Sequence, residues 1–431
     1  MTRKITEEIS ISEKQLEQAK KNIKSVPDFK PAIKKKLKGK TTDLMQIILA
    51  GGISLNASDI HIEPLEKRAK MRVRVDGILH DVLFLPLPNY KSVLSRIKLL
   101  AGAKLNVSDR PQDGRFSITV GDFEVEVRVS IIPAEHGESI VLRVLNPQSL
   151  IDLGELGVRE NLLQDFKNQI KKPNGMILVT GPTGSGKTTT LYAFLRQIRS
   201  PKKKIITIEN PIEYHLEGIS QTQTEKDKGY DFASGLESIV RQDPDVILVG
   251  EIRNKETAKI ALQASLTGHL VFSTVHTNDA AGTITRLHSL GADIVNIAPA
   301  LRMVIAQRLV REACDKCMEF RKPTSKELDK LKKALNNLPD EVEKPEINES
   351  TEIPDVHGCK YCNNTGYRGR TAIFEAFTVD EEIEELILNE PSISELRKKI
   401  QEKGMVTMKQ DGFLKVLKGQ TTIKEVERIT G

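Results

Sequence analysis

The residues best equipped for chemistry are Gly181-Pro182-Thr183-Gly184-Ser185-Gly186-Lys187-Thr188, followed by Thr189. The pattern G-x-x-x-x-G-K-[ST] describes a phosphate-binding loop. Its glycines let backbone N–H groups turn toward phosphate oxygens, its lysine reaches the outer phosphates, and its hydroxyl residue is a ligand for Mg2+. A glycine-rich turn is the alternative. Here an apolar run, Met176 to Thr180, precedes the loop and a helical stretch follows from Lys187, adding the positive end of a helix dipole.

A phosphate loop binds; hydrolysis also needs a metal and a group that orients water. Carboxylates at the ends of two further apolar runs are the candidates. Val246 to Val249 leads into Gly250-Glu251-Ile252-Arg253, which puts Glu251 at a strand's carboxyl end, where open α/β sheets bind ligands. Glu251 resembles a Walker B acid. The preceding run ends in Glu209-Asn210-Pro211-Ile212-Glu213 and supplies two more acids.

These groups must be carried by a sheet. The runs Met176 to Thr180, Lys204 to Glu209, Val246 to Gly250 and Leu270 to Val275 alternate with helical segments, predicting a mainly parallel sheet covered on both faces. Upstream the pattern differs. An amphipathic helix begins at Thr41; Met71, Val73 and Val75 alternate with Arg72, Arg74 and Asp76; a helix spans about Tyr90 to Ala103; and a hairpin turns at Gly121-Asp122. This predicts an α+β domain, separated from the sheet by a linker at Asn146-Pro147-Gln148-Ser149. Residues 1–40 are polar and lysine-rich, and predict a solvated arm or short helix.

With 431 residues, more than one core is expected. The chain is 39% hydrophobic and 29% charged, with a net charge of +6. No apolar run approaches the roughly 20 residues of a membrane span, and the start lacks a signal-peptide core, so a cytoplasmic protein is expected. Trp is absent and aromatics make up 4%. Nucleic acid is therefore not indicated as a partner.

Taken in order, the motifs resemble the secretion ATPase superfamily of type II secretion and type IV pilus assembly, on its assembly-motor branch. The similarity runs from about Thr41 to the C-terminus. Besides the phosphate loop, Ile208 to Glu213 matches the family's aspartate box and Arg241 to Arg253 its Walker B stretch. Thr267-Gly268-His269-Leu270 through Ser273-Thr274-Val275-His276-Thr277 matches its histidine box. The resemblance implies a RecA-like P-loop core (156–311) preceded by a PAS-like α+β domain (41–146) and a linker (147–155). A tetracysteine segment (312–370) and a C-terminal helical region (371–431) follow.

It also implies ATP and Mg2+ as cofactors, the metal held by Thr188 and Glu251. Glu209 would polarise or position the attacking water, Glu251 would support Mg2+ or that same water, with the base left open between the two, and His269 and His276 would sense the outer phosphate or bridge domains. Asn210 and Asn254 stand where the family usually has Asp. An amide keeps the hydrogen bonding and loses the charge.

The first domain fits the same resemblance through Ala57 to Pro64, Arg72 to Gly77 and Arg110 to Arg115. It makes Arg74, Arg110, Arg115 and Arg128 a candidate arginine-finger set for charge on the phosphoryl group. Cys314-Asp315-Lys316-Cys317 and Cys359-Lys360-Tyr361-Cys362 are two C-x-x-C turns that could close a tetrahedral, structural Zn2+ site.

The resulting expectation is a homo-hexameric motor that hydrolyses ATP to drive assembly of a type IV pilus or a type II secretion pseudopilus, competence-type systems included. It would be peripheral to the inner face of the cell membrane through an inner-membrane platform protein, with pilin-like subunits as indirect partners. A DNA-transfer ATPase of the same superfamily and a non-hydrolysing nucleotide-gated scaffold are the alternatives.

Overall fold

The computed structural model describes residues 9–431, apart from the Lys226 side chain. The chain divides into two compact units. The first takes the chain up to Ser149 together with Cys314–Cys317 and His357–Arg368; the second takes Leu150–Ala313, Met318–Val356 and Gly369–Gly431.

The first unit opens with β1 (Ile9–Ile11), α1 (Glu13–Asn22), α2 (Val26–Lys34) and α3 (Thr41–Ser54). The strands β2 (Asp59–Pro64), β3 (Arg68–Val75) and β4 (Ile78–Pro86), helix α4 (Leu87–Ala101), and β5 (Gln112–Val120), β6 (Phe123–Ala134) and β7 (Gly137–Leu145) complete it. Its seven-stranded sheet has the order β1-β5-β6-β7-β2-β3-β4, in which β1 joins β5 in parallel. Alternation sorts the faces: Val125, Val127, Val129 and Ile131 of β6 enter a core shared with all four helices, while Glu126 and Arg128 lie on the other face.

A solvated arm does not describe residues 9–40. Leu16, Ala19, Phe29 and Ile33 are buried in this core, and Ser12 and Gln15 form a reciprocal capping box on α1. The sparse apolar positions suffice because each is used. Residues 1–8 of the expected arm lie outside the described residues.

The second unit contains α5 (Glu160–Gln169), β8 (Gly175–Thr180), α6 (Lys187–Ile198), β9 (Ile205–Glu209), β10 (Ser220–Gln223), α7 (Phe232–Val240), β11 (Val246–Val249), α8 (Lys255–Leu266) and β12 (Leu270–Val275). Then come α9 (Gly282–Ser289), α10 (Ile294–Ala300), β13 (Leu301–Ala313), β14 (Met318–Arg321), α11 (Ser325–Leu335), β15 (Ile353–Val356), β16 (Tyr367–Thr378), α12 (Glu381–Leu388), α13 (Ile393–Glu402), α14 (Met408–Leu417) and α15 (Ile423–Thr430). The core sheet has the order β10-β9-β11-β12-β8-β13-β16.

The pairings from β10 through β13 are parallel. Both faces are apolar: Met176, Leu178, Ile247 and Val249 pack into one core, and Ile177, Val179, Val246 and Leu248 into the other. The last part of the chain is not wholly helical. Ala372 to Phe377 is a continuous buried run and enters the sheet as part of β16 before α12 begins. The stretch between the cysteine pairs also folds, as the β14–β15 ladder and the amphipathic α11, whose Leu331 and Leu335 pack with Phe413 and Val416.

Candidate nucleotide site and cysteine cluster

The phosphate loop leaves the carboxyl end of β8 and enters α6, so the first-turn N–H groups of α6 are available to an anion. Gly186 sits at the helix N-cap with φ of 89°, and a Cβ there would stand 2.9 Å from Gln307 Nε2. Gln307, buried on β13, braces the loop from beneath. Its Nε2 donates to Ser185 O at 2.7 Å, and its Oε1 accepts from Thr190 Oγ1 at 2.8 Å. Lys187 Nζ donates to the carbonyls of Gly181 (2.8 Å) and Pro182 (3.1 Å). Burial, with Arg308 nearby, pulls its pKa below the usual lysine value, against an opposing contribution from Glu251. Thr188 is exposed and its hydroxyl has no hydrogen bond among the described residues, as a Mg2+ ligand requires, whereas Thr190 is buried and committed to Gln307.

Glu251, just beyond β11, is gripped by Arg253 Nε at 2.6 Å and has His276 Nε2 at 3.5 Å. The backbone holds this arrangement. Ile252 N donates to Thr274 O, Thr274 Oγ1 to Gly250 O, and Thr277 N to Thr180 Oγ1 at the root of the phosphate loop. Lys187, Glu251 and His276 thus share the carboxyl edge of the sheet.

Two other sequence candidates are placed differently. His269 precedes β12 at the opposite edge, and its Nδ1 is 2.9 Å from Ala264 O at the end of α8. A full strand separates it from His276, so within its own core it stands away from the phosphate loop. Glu209 ends β9 but turns inward. Its carboxylate accepts from Tyr192 Oη (2.5 Å), Thr207 Oγ1 (2.6 Å) and Gln221 Nε2 (3.2 Å), and burial raises its pKa above the usual range against those hydrogen bonds. It braces α6 through Tyr192. Asn254 is the N-cap of α8 and accepts from Thr257 N at 2.9 Å, a task that amide and carboxylate perform alike. Asn210 is exposed.

In the first unit, strand register lines up the arginines. Arg115 of β5 pairs with Arg128 of β6, Arg128 with Arg143 of β7, Arg143 with Asp59 of β2, and Asp59 with Arg74 of β3. Four guanidinium groups therefore cross five strands on one face. Asp59 is shared by Arg143 Nε at 3.1 Å and Arg74 Nε at 3.4 Å, and Glu126 is 3.5 Å from Arg128. Arg143 was not among the sequence candidates, although the alternation of Ile140, Leu142 and Val144 on the opposite face marks it. Arg110 is exposed in the loop before β5 and lies outside the row. Gln307 also had a signal, as the polar residue that directly follows the apolar run Met303 to Ala306 yet is buried with it.

The four cysteines converge: their Sγ atoms all lie within 4.8 Å of one another. Separations of 3.8 Å (Cys317–Cys362 and Cys359–Cys362) and 4.0 Å (Cys314–Cys359) match the edge of about 3.8 Å expected for a tetrahedron with Zn–S bonds of about 2.3 Å. Burial pushes the Cys317 thiol up to about 12. At Cys362 burial is outweighed by the N–H groups of Cys359 and Gly366, which bring the thiol down to about 7. Donor set and spacing fit a closed zinc site.

A mixed α/β core with a phosphate loop at its carboxyl edge, in a chain that also carries an arginine-bearing, mainly antiparallel sheet and a four-cysteine cluster, defines a class of P-loop proteins. The family model described as "Type II/IV secretion system protein" matches residues 35–428, and the chain belongs to that family. It is 45% identical over 390 residues to the type II secretion system protein E of Pseudomonas aeruginosa, covering 90% of this chain and 75% of that protein. It is 45% identical over 391 residues to the type II secretion system ATPase E of Vibrio cholerae, with the same coverage of 90% and 75%. The type IV pilus assembly ATPase PilB of Thermus thermophilus is 42% identical over 372 residues, 86% of this chain and 41% of that one. Among solved structures, the pilus retraction motor PilT with bound ADP superposes with a TM-score of 0.60 at 26% identity, covering 89% of this chain and 95% of PilT. The Legionella pneumophila ATPase DotB shares the fold, with a TM-score of 0.65 at 23% identity, covering 89% of this chain and 94% of DotB.

Proposed function

We propose that this protein is an ATP hydrolase that powers a type II secretion or type IV pilus assembly system. The observation carrying this reading is the convergence of Lys187, Glu251 and His276 on the carboxyl edge of the core sheet, with the Thr188 hydroxyl open beside the lysine. The loop N–H groups and Lys187 hold the phosphates. Thr188 and Glu251 would hold Mg2+, which would supply charge neutralisation at the outer phosphates.

Glu251 orients the attacking water and accepts its proton as the water oxygen bonds to the γ-phosphorus. The bond from that phosphorus to the bridging oxygen breaks, and ADP leaves with the electron pair. Arg253 and His276 fix the carboxylate. Glu209, occupied by three donors, serves as a brace. Arg74, Arg110, Arg115 and Arg128 are the candidate arginine-finger set. The four cysteines would hold Zn2+ in a structural role, since four thiolates complete a tetrahedral donor set.

The working form is a homo-hexamer that engages an inner-membrane platform protein and acts indirectly on pilin-like subunits. Among the described residues, no helix is long and apolar enough to cross a membrane. The test is Mg-ATP turnover of the purified protein against Glu251→Gln and Lys187→Ala, with mass by light scattering. Turnover no higher than that of Lys187→Ala rejects hydrolysis, and a monomeric mass under turnover conditions rejects the ring.

A further inference from the structure

Lys187 has a second cation beside it at the root of the loop. Arg308 follows Gln307 on β13, and the strand order places β13 on one side of β8 and β12 on the other. Arg308 Nη2 donates to Asn278 O, in the loop beyond β12, at 3.0 Å. The side chain therefore lies across the carboxyl end of β8. A Cβ on Gly181 would stand 3.2 Å from Arg308 Nη1, so the guanidinium occupies the rim from which the phosphate loop starts.

The charge there is not paired. The other hydrogen bond of Arg308 is to Gln307 O at 3.3 Å, and among the described residues no carboxylate lies within ion-pair distance of it. The acids whose fields reach it are engaged elsewhere: Asp279 binds Arg397 at 2.6 Å and the Gly282 N–H, and Glu375 accepts the N–H groups of Ala280 and Met408. A half-buried guanidinium bound only to carbonyls keeps donors to spare and lacks a compensating anion. Lys187 Nζ sits on the same residue, 2.8 Å from Gly181 O. Two cations converging on one glycine is an arrangement that an incoming phosphate relieves.

We propose that Arg308 is a phosphate-binding residue of the core, contacting the terminal phosphoryl oxygens of a bound nucleoside triphosphate alongside Lys187. This deepens the reading of the loop as a nucleotide site and rests on it. The contribution comes from the same core that carries the loop, so it needs no arginine from another unit.

The experiment is equilibrium binding of mant-ATP and mant-ADP, each with Mg2+, to the full chain, comparing wild type, Arg308→Gln, Arg308→Lys and Lys187→Ala. Urea midpoints are measured in parallel. Arg308→Gln is expected to weaken mant-ATP about 10- to 100-fold, the range of one charge-assisted hydrogen-bonded contact, and mant-ADP by no more than about threefold. Arg308→Lys should recover part of the loss, and the urea midpoint should not move. Mant-ATP affinity of Arg308→Gln within about twofold of wild type overturns the assignment. So does equal loss of both nucleotides, or a lowered urea midpoint, since either marks a structural role. If wild type binds neither nucleotide, the nucleotide reading itself fails; if wild type binds and Lys187→Ala does not, failure is confined to Arg308.

Discussion

Asn363 Oδ1 accepts the backbone N–H of Val26 at 2.7 Å, joining the second cysteine turn to the first residue of α2. Ser25, at the N-cap of that helix, makes no capping hydrogen bond to it and binds Asp28 instead. The helix is thus capped by a residue 337 positions away. The same turn holds the region through Lys360 to Asp28 at 2.8 Å, and Arg368, at the start of β16, donates to Lys24 O at 3.0 Å.

Loss of metal from the cysteines should therefore loosen α2. Asn363 has φ of 56° and lies directly after Cys362, so its position depends on the closed turn. Chelation is expected to raise amide exchange across 26–34 while β8, β11 and β12 stay protected. Asn363→Ala should reproduce the local effect with metal retained, at a cost of about 1 kcal/mol for a lost cap. Unchanged exchange in 26–34 after verified metal removal would contradict this coupling.

Glu209 and Glu251 should behave differently when made neutral. Glu209→Gln keeps shape and most hydrogen bonding inside the Tyr192 network and removes a buried charge. Turnover is expected to fall less than about tenfold, whereas Glu251→Gln should lose a hundredfold or more, roughly the worth of a general base. Steady-state rates at saturating Mg-ATP decide it. A larger loss from Glu209→Gln would return the base to that residue.

Much of the core was legible because its signals are local. The runs ending at Thr180, Glu209 and Val275 are long, apolar and β-branched, and each became a strand. The phosphate loop and the C-x-x-C turns were legible because their chemistry is confined to a few adjacent residues. What escaped depends on partners distant in the chain. The cap on Val26 comes from Asn363, the brace on Ser185 from Gln307, and the arginine row from cross-strand register that alternation alone does not set. His269 and His276 looked equivalent in sequence because both flank one strand, but a parallel strand sends its two ends to opposite edges of the sheet.

Gln307 offers a sharper test of loop positioning. Gln307→Ala leaves Ser185 O and the Thr190 hydroxyl without their partner. Gln307→Glu preserves the acceptor for Thr190 and places a carboxylate oxygen against the Ser185 carbonyl. Both should raise KM for ATP, with the Glu variant worse by about tenfold, since a buried repulsive contact costs more than an empty one. A Glu variant no worse than the Ala variant would show that the Ser185 bond does not set the loop.

The final prediction concerns acid stability of the second unit. Glu425 is fully buried; burial alone would raise its pKa, but the N–H and guanidinium of Arg311 and the guanidinium of Arg428 hold it down at about 2. A carboxylate depressed in the folded state contributes stability that is present in full above its unfolded pKa of about 4.5 and is lost as pH falls toward about 2. Arg311 lies on β13 and Glu425 on α15, so this pair ties the C-terminal helix to the strand carrying Gln307 and Arg308. Glu425→Gln should flatten the decline in the unit's unfolding free energy between pH 4.5 and 2. It should also cost about 3 kcal/mol at pH 7, because the mostly buried Arg311 guanidinium loses the carboxylate charge of Glu425. Urea melts of both proteins across that range measure the two effects, and parallel pH profiles would exclude Glu425 as the group responsible.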